Sequence, residues 1–253
     1  EGPAELLADT YNQQPAILAA SVAVLRAVRA DLPAPSRLAG HSLGEYAALV
    51  ASGALGYADG LRLVRERGRL MRQAGLERPG SMAAVLGLAD DVVEAACADI
   101  DEVQVANYNA PGQVVISGAA GAVQRAVASL MASGATRIVP LPITIAAHSA
   151  LMAPATAAFA AVVSAVPLVD ACLPVVGNVD AVPLTRVDDI RSELTRQLTS
   201  SVRWTESVRE MVRAGVREFY EVGPGTVLSG LVKRILKAEG VEGALVRALG
   251  EPD

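Results

Sequence analysis

Two periodicities alternate along the chain. Ile17, Val22, Leu25 and Val28 supply one face of a helix over Ala16–Ala30. A second helical pattern opens at Tyr57-Ala58-Asp59 and runs through Leu61, Leu63, Val64, Leu70 and Met71. Pro3–Thr10 suits a short helix with Leu6 and Leu7 on its apolar face, and Tyr11–Pro15 reads as a break. Asp31–Ser36 carries Pro33 and Pro35 and predicts a loop ahead of a short strand, Arg37–Ala39. From about Gly80 the period shortens. Ser81–Leu88, Val103–Asn109, Gln113–Gly118 and Thr136–Ile143 read as strands, with helices over Ala89–Ile100 and Ala119–Ser133. The order β-α-β-β-α-β is the ferredoxin-like plan, which predicts an inserted small subdomain over residues 80–144. Beyond it come a helix over Ala150–Ala165, a strand over Cys172–Gly177 and helices over Val187–Leu198 and Val202–Ala214. A strand over Val216–Val222 and a helix over Val227–Lys237 follow. Strands alternating with helices on both sides of the insert predict an α/β fold, with a mostly parallel sheet built from residues 1–79 and 145–253.

One stretch interrupts the pattern with chemistry. Gly40-His41-Ser42-Leu43-Gly44 follows the short strand and leads into an amphipathic helix that runs to about Ala51. A strand, Gly-X-Ser-X-Gly and a helix form a nucleophile elbow, so the large subdomain is expected to be hydrolase-like. The two glycines are expected to leave room for a tight turn that holds Ser42 in a strained conformation. The first backbone N–H groups of the helix have no intrahelical partner, and that of Leu43 is placed to stabilise an oxyanion.

Composition removes several alternatives. The chain has 253 residues, is 52% hydrophobic and carries a net charge of −5, so it can build a sizeable core and a disordered reading is excluded. Aromatic residues make up 3% and there is no basic run, which leaves little support for nucleic-acid binding. The most apolar long stretch, Pro154–Val169, is interrupted by Ser164 and Pro167 and reads as a buried helix, with no membrane association expected. Cys97 and Cys172 are far apart, outside any metal spacing, and are expected as buried thiols in a reducing, cytoplasmic setting. Two histidines exclude a His-rich metal site and narrow the search for a base.

A serine hydroxyl needs a base to act as a nucleophile at neutral pH. His41 adjoins Ser42 at a tight turn, where its ring is expected to point away from the hydroxyl and pack beside the substrate. His148 follows the last strand of the insert, where the chain returns to the large subdomain, and is the better candidate. No acid between the two presents itself as a triad member, so a dyad is expected, with His148 oriented by a neutral group such as a backbone carbonyl. Arg62, Arg65, Arg67, Arg69 and Arg72 lie along the helix that opens at Tyr57, and most are expected to be solvated.

These segments resemble the malonyl-CoA:acyl-carrier-protein transacylases and the acyltransferase domains of polyketide and fatty acid synthases. The resemblance rests on Gly40-His41-Ser42-Leu43-Gly44-Glu45-Tyr46, Gln14-Pro15-Ala16-Ile17, Arg67-Gly68, Ser81-Met82-Ala83-Ala84 and Asn109 to Gly118. It continues through His148-Ser149-Ala150-Leu151-Met152 and Glu221-Val222-Gly223-Pro224-Gly225, and so covers nearly the whole chain. It implies that Ser42 takes a malonyl group from coenzyme A and passes it to the phosphopantetheine thiol of an acyl carrier protein, by a ping-pong route. The CoA thioester enters as substrate, and no cofactor is implied. His148 would act as base and then as acid, the Leu43 N–H as an oxyanion donor, and the backbone carbonyl of Gln197 as the group that orients His148. Arg67, 25 residues beyond Ser42, falls where the family carries its carboxylate-binding arginine. A guanidinium grips a carboxylate through two parallel charge-assisted hydrogen bonds, which suits a malonyl group. Asn107 and Asn109 match a motif near the cleft, although turn-forming asparagines of a hairpin fit the residues equally.

The resemblance also carries departures. The family begins with a strand and a Gly-Gln-Gly loop that contributes to the oxyanion hole. Nothing in Glu1–Gln14 matches them, so an N-terminal strand is expected to be missing from this sequence. Ile145-Ala146-Ala147 precedes His148. Synthase domains often carry Phe there for malonyl units and Ser for methylmalonyl units. Ala147 matches neither, and small residues there also occur in freestanding malonyl enzymes. Two other readings stay open: an acyl hydrolase of the same fold, and a catalytically impaired carrier-protein binding module. Lys233, Arg234 and Lys237 are candidates for a basic rim facing an acidic carrier, and neighbouring synthase domains are possible partners.

Overall fold

The computed structural model describes residues 3, 6–7 and 9–250. Asp9 caps the first long helix, α1 (Thr10–Val28), its Oδ1 accepting from Tyr11 N at 2.9 Å. The break expected at Tyr11–Pro15 is therefore absent. Pro15 removes one backbone donor near the start of a helix whose cap is already set at Asp9. Leu6 and Leu7 are helical but exposed, and most of the short helix expected around them lies outside the described residues.

After β1 (Leu38–Ala39) the elbow opens α2 (Gly44–Ala51), and α3 (Tyr57–Glu77) follows. Helices α1 and α3 touch backbone to backbone: a Cβ on Gly68 would lie 2.6 Å from the Thr10 carbonyl oxygen. Leu18, Leu49, Leu63, Val64, Tyr46 and Phe159 fill the core beneath them. The outer arginines of α3 are solvated as expected, Arg62 against Asp59 and Arg69 against Glu66, while Arg67 turns inward and is 2% exposed.

Residues 80–140 form β2 (Gly80–Leu86), α4 (Asp90–Ala98), β3 (Val103–Ala110), β4 (Gln113–Ala119), α5 (Ala120–Ala132) and β5 (Arg137–Pro140). The four strands make one antiparallel sheet in the order β3-β4-β2-β5, over a core of Val85, Val93, Ile116, Val123 and Leu130. Asn107 and Asn109 lie in β3, and the hairpin turn belongs to Pro111-Gly112.

The chain continues through α6 (Ala153–Ala165), β6 (Val175–Val176), β7 (Pro183–Leu184), α7 (Val187–Arg196), α8 (Trp204–Arg213), β8 (Glu218–Glu221), α9 (Val227–Ala238) and β9 (Leu245–Ala248). β6 pairs parallel with β1 and antiparallel with β7, while β8 and β9 form a separate parallel pair. The short strands β7 and β9 had no periodicity to announce them. A cavity of about 860 Å³ separates β1 from β8, lined by Leu38, Ala39, Phe219 and Val232; it borders His41 and Leu43 but not Ser42, Arg67 or His148. Cys97 is buried, as expected. Cys172 is exposed, against expectation, because its segment runs over the surface before β6 begins. Among the described residues no helix is long and apolar enough to cross a membrane.

Candidate active site

The elbow is built by two adjacent parallel strands. Ala39 of β1 is in register with Val176 of β6, so Gly40–Ser42 and Gly177–Asn178 leave the sheet side by side. A Cβ on Gly40 would stand 2.0 Å from the Gly44 carbonyl carbon, so only glycine closes this turn. Gly44 differs from the expectation: a Cβ there meets nothing within 4 Å. Ser42 sits at φ 50°, the left-handed region that a serine seldom adopts, and the turn closes through Gly44 N to His41 O (2.9 Å) and Glu45 N to Ser42 O (3.2 Å).

His148 also has a positive φ, 58°, and is 4% exposed. Its Nε2 lies 2.8 Å from Ser42 Oγ. On the other side of the ring, Nδ1 faces the carbonyl oxygens of Gln197 (2.9 Å) and Ser200 (3.1 Å). Two acceptors at Nδ1 select the tautomer with its proton there, leaving the Nε2 lone pair for the serine proton. Burial, followed by the Arg67 charge, holds the His148 pKa down at about 3, so the ring is neutral at pH 7.

Arg67 projects from α3 into the same place. Nη2 donates to Ser42 Oγ (3.1 Å) and Gln197 Oε1 (2.9 Å), and Nη1 donates to Gln14 Oε1 (2.9 Å). Its guanidinium carbon lies 5.6 Å from the centre of the Tyr46 ring. Among the described residues it makes no ion pair, although Glu45 is close enough to act on it electrostatically. Burial lowers its pKa, yet a guanidinium stays protonated at neutral pH. The result is a buried cation held in place by neutral oxygens.

Glu45, at 0% exposure, accepts from Gln197 Nε2. Burial raises its pKa well above the usual carboxylate value, and the nearby Glu193 adds to the shift. His41 turns away from Ser42: its Nε2 lies 2.8 Å from Asn109 Oδ1 and its ring centre 5.7 Å from that of Trp204. Burial lowers its pKa, so the neutral ring donates Nε2–H to the Asn109 carboxamide.

The structure thus gathers Ser42, His148, Arg67 and Gln197 at one point, with Leu43 heading α2 and the His41–Asn109 pair to one side. Sequence reasoning missed Gln14, Glu45, Asn178 and Glu193. Gln14 and Glu45 stand inside quoted motifs, but nothing in their spacing says that Gln14 meets Arg67 or that Glu45 is buried. Among the described residues no cluster of His, Cys, Asp and Glu is arranged to hold a metal ion.

Comparison with known proteins gives the same neighbourhood throughout. The acyl transferase domain model matches residues 1–250. The malonyl CoA-acyl carrier protein transacylase of Escherichia coli K12 is 46% identical over 256 residues, covering 100% of this chain and 81% of that protein. An acyl carrier protein S-malonyltransferase from Vibrio cholerae superposes with a TM-score of 0.91 at 44% identity, covering 98% of this chain and 80% of that one. A type II PKS acyl-carrier protein in complex with its malonyl-transacylase gives a TM-score of 0.93 at 41% identity, over 100% of this chain and 81% of the matched chain.

Proposed function

Because this chain belongs to the acyl transferase domain family, we propose that it moves malonyl groups from coenzyme A to the phosphopantetheine thiol of an acyl carrier protein, through an ester on Ser42. The observation that carries the reading is a single oxygen with two neighbours. Ser42 Oγ has the His148 base nitrogen at 2.8 Å and an unpaired buried cation, Arg67, at 3.1 Å.

The steps follow from the atoms present. With malonyl-CoA bound, Arg67 turns its free donors to the substrate's carboxylate, which fixes the thioester carbonyl over Ser42. Oγ attacks that carbonyl as its proton passes to His148 Nε2, and the Leu43 N–H at the head of α2 receives the developing oxyanion. The carbonyl re-forms, the C–S bond breaks, and His148 Nε2–H protonates the departing CoA thiolate. In the second half the carrier's thiol gives its proton to His148, attacks the Ser42 ester, and Oγ leaves with the proton that His148 returns. Gln197 O holds the imidazole throughout, and the His41–Asn109 pair borders the acyl group.

The same reading assigns residues 1–79 and 145–253 to a hydrolase-like subdomain and 80–144 to a ferredoxin-like one, supported by the four-stranded sheet with its own core. It places the protein in the cytoplasm, with CoA thioester as substrate and no cofactor.

The test is a mass measurement. Incubation with malonyl-CoA is expected to leave a malonyl adduct on the Ser42 peptide, which holo carrier protein discharges. Ser42→Ala is expected to show none. A native chain that stays unmodified overturns the reading, and rapid loss of the adduct to water without carrier identifies a hydrolase instead.

A further inference from the structure

Ser42 is held at both its backbone N–H and its backbone C=O by side chains that trace back to one helix. Its N–H donates to Asn178 Oδ1 (2.6 Å), and its C=O accepts from Gln197 Nε2 (3.1 Å). Asn178 Nδ2 in turn donates to the Gly40 carbonyl (2.7 Å), so one carboxamide spans the turn from Gly40 to Ser42. The Asn178 loop is anchored by Glu193 of α7, whose Oε1 accepts from both Asn178 N (2.6 Å) and Val179 N (2.7 Å). Glu193 reaches that loop over a glycine: a Cβ on Gly177 would stand 2.9 Å from the Glu193 carboxyl carbon.

Gln197 lies four residues after Glu193, immediately beyond the last residue of α7, and residues four apart share a helix face. One face of α7 therefore presents two grips. Gln197 holds the Ser42 carbonyl and the His148 ring; Glu193, through Asn178, holds the Ser42 amide. Asn178 is 1% exposed and uses every polar group it has, its carbonyl accepting from Arg203 N at 2.9 Å. Such full satisfaction fixes its rotamer.

We propose that Asn178 is a positioning residue for acyl transfer, locking Ser42 in its left-handed conformation, and that Glu193 holds Asn178 in register from α7. A serine at φ 50° relaxes unless its surroundings over-determine it. The Asn178 carboxamide is a brace on the amide side, and its loss lets Oγ swing away from His148 Nε2. Asn178 makes no contact with the Arg67 guanidinium, so its loss leaves the grip on the substrate carboxylate in place.

This inference rests on the reading of Ser42 as the acylated nucleophile, and the native chain tests that reading first: an adduct-free native chain removes the reading itself, whatever the variants do. With the native adduct established, steady-state and single-turnover acylation by malonyl-CoA are compared in Asn178→Ala, Glu193→Ala and Glu193→Gln, well below each melting temperature. Asn178→Ala is expected to lose about 100-fold in kcat, since a misplacement near 1 Å costs that much, while KM for malonyl-CoA changes less than about threefold. Glu193→Ala is expected to lose kcat in the same way. Glu193→Gln, which keeps a carbonyl acceptor for both N–H groups, is expected to recover most of that loss. Should Asn178→Ala not fold, the near-isosteric Asn178→Asp decides: it keeps the acceptor for Ser42 N–H and sets a carboxylate against the Gly40 carbonyl. It is expected to lose kcat at least about tenfold at unchanged KM. A folded Asn178→Ala or Asn178→Asp with native kcat, or a loss that appears in KM alone, overturns the proposal.

Discussion

Arg67 Nη2 stands 3.1 Å from Ser42 Oγ, and the guanidinium that carries it has neutral oxygens for its hydrogen-bond partners. A buried cation without an ion pair is a costly arrangement unless a ligand supplies the anion. A malonyl carboxylate does so; an acetyl group does not. Arg67→Ala is expected to reduce malonyl transfer by about 100-fold or more, the usual cost of removing one partner from a desolvated charge pair. Acetyl transfer is expected to change far less. The ratio of kcat/KM values for malonyl-CoA and acetyl-CoA, native against variant, checks this, and equal losses with both donors remove Arg67 from its role.

If His148 is the base, as proposed, its neutral ring has a consequence for the acid side of the pH profile. Its pKa is lowered to about 3 from 6.5, so the base form survives as pH falls through 6 and 5. The ratio kcat/KM for malonyl-CoA, which reports the free enzyme, is expected to show no acid limb from this group near 6.5. An inflection at 6.5 that His148 carries would mean that its burial and the Arg67 charge do not act as described.

The same shift makes a stability statement. Between about 3 and 6.5 the unfolded chain protonates this histidine and the folded one does not. Its contribution is therefore whole above pH 6.5 and is lost as pH falls toward 3, by an amount of the order of a few kcal/mol. His148→Gln, which does not titrate, is expected to show a smaller drop in unfolding free energy across that window. Denaturant titrations at matched pH values measure the difference.

Glu45 runs with the opposite sign. Its folded pKa is raised, chiefly by burial and then by the Glu193 charge, so its contribution is complete below the usual carboxylate pKa of 4.5 and declines as pH rises above it. Glu45→Gln keeps an oxygen for Gln197 Nε2 and removes the titration. The melting temperature of this variant relative to the native chain is expected to be higher at pH 8 than at pH 5.

The two glycines of the elbow are expected to part company. Gly40→Ala forces a Cβ to within 2.0 Å of Gly44 backbone and is expected to abolish folding or acylation. Gly44 has open space around it and is the first residue of α2, where alanine fits the backbone and narrows the unfolded ensemble, a gain of roughly 0.4–1 kcal/mol. Gly44→Ala is expected to melt at or above the native temperature.

What could be read from the residues depended on where the cause lay. The elbow was legible because a tight turn before a helix imposes local rules on Gly40 and Ser42, and His148 because only two histidines compete for the role of base. Arg67 was not: five arginines share α3, and only the packing of α1 against α3, sealed at Gly68, shows which one faces inward. Its place came from the resemblance, not from periodicity. Asn178 was invisible because its meaning lies in strand adjacency. Residues 40 and 178 are neighbours only once β1 and β6 pair in parallel. The break drawn at Pro15 failed for a local reason, the cap at Asp9, which had started the helix before the proline was reached.

Ser42 and His148 both hold positive φ angles, 50° and 58°, across a contact of 2.8 Å. A glycine at either position would adopt the same backbone with less strain. Relief of that strain would remove the two side chains that meet across this contact. Glycine would also give up what each side chain holds, at His148 a buried ring bonded to the Gln197 and Ser200 carbonyls, so the backbone strain and the contacts of the site are kept or lost together.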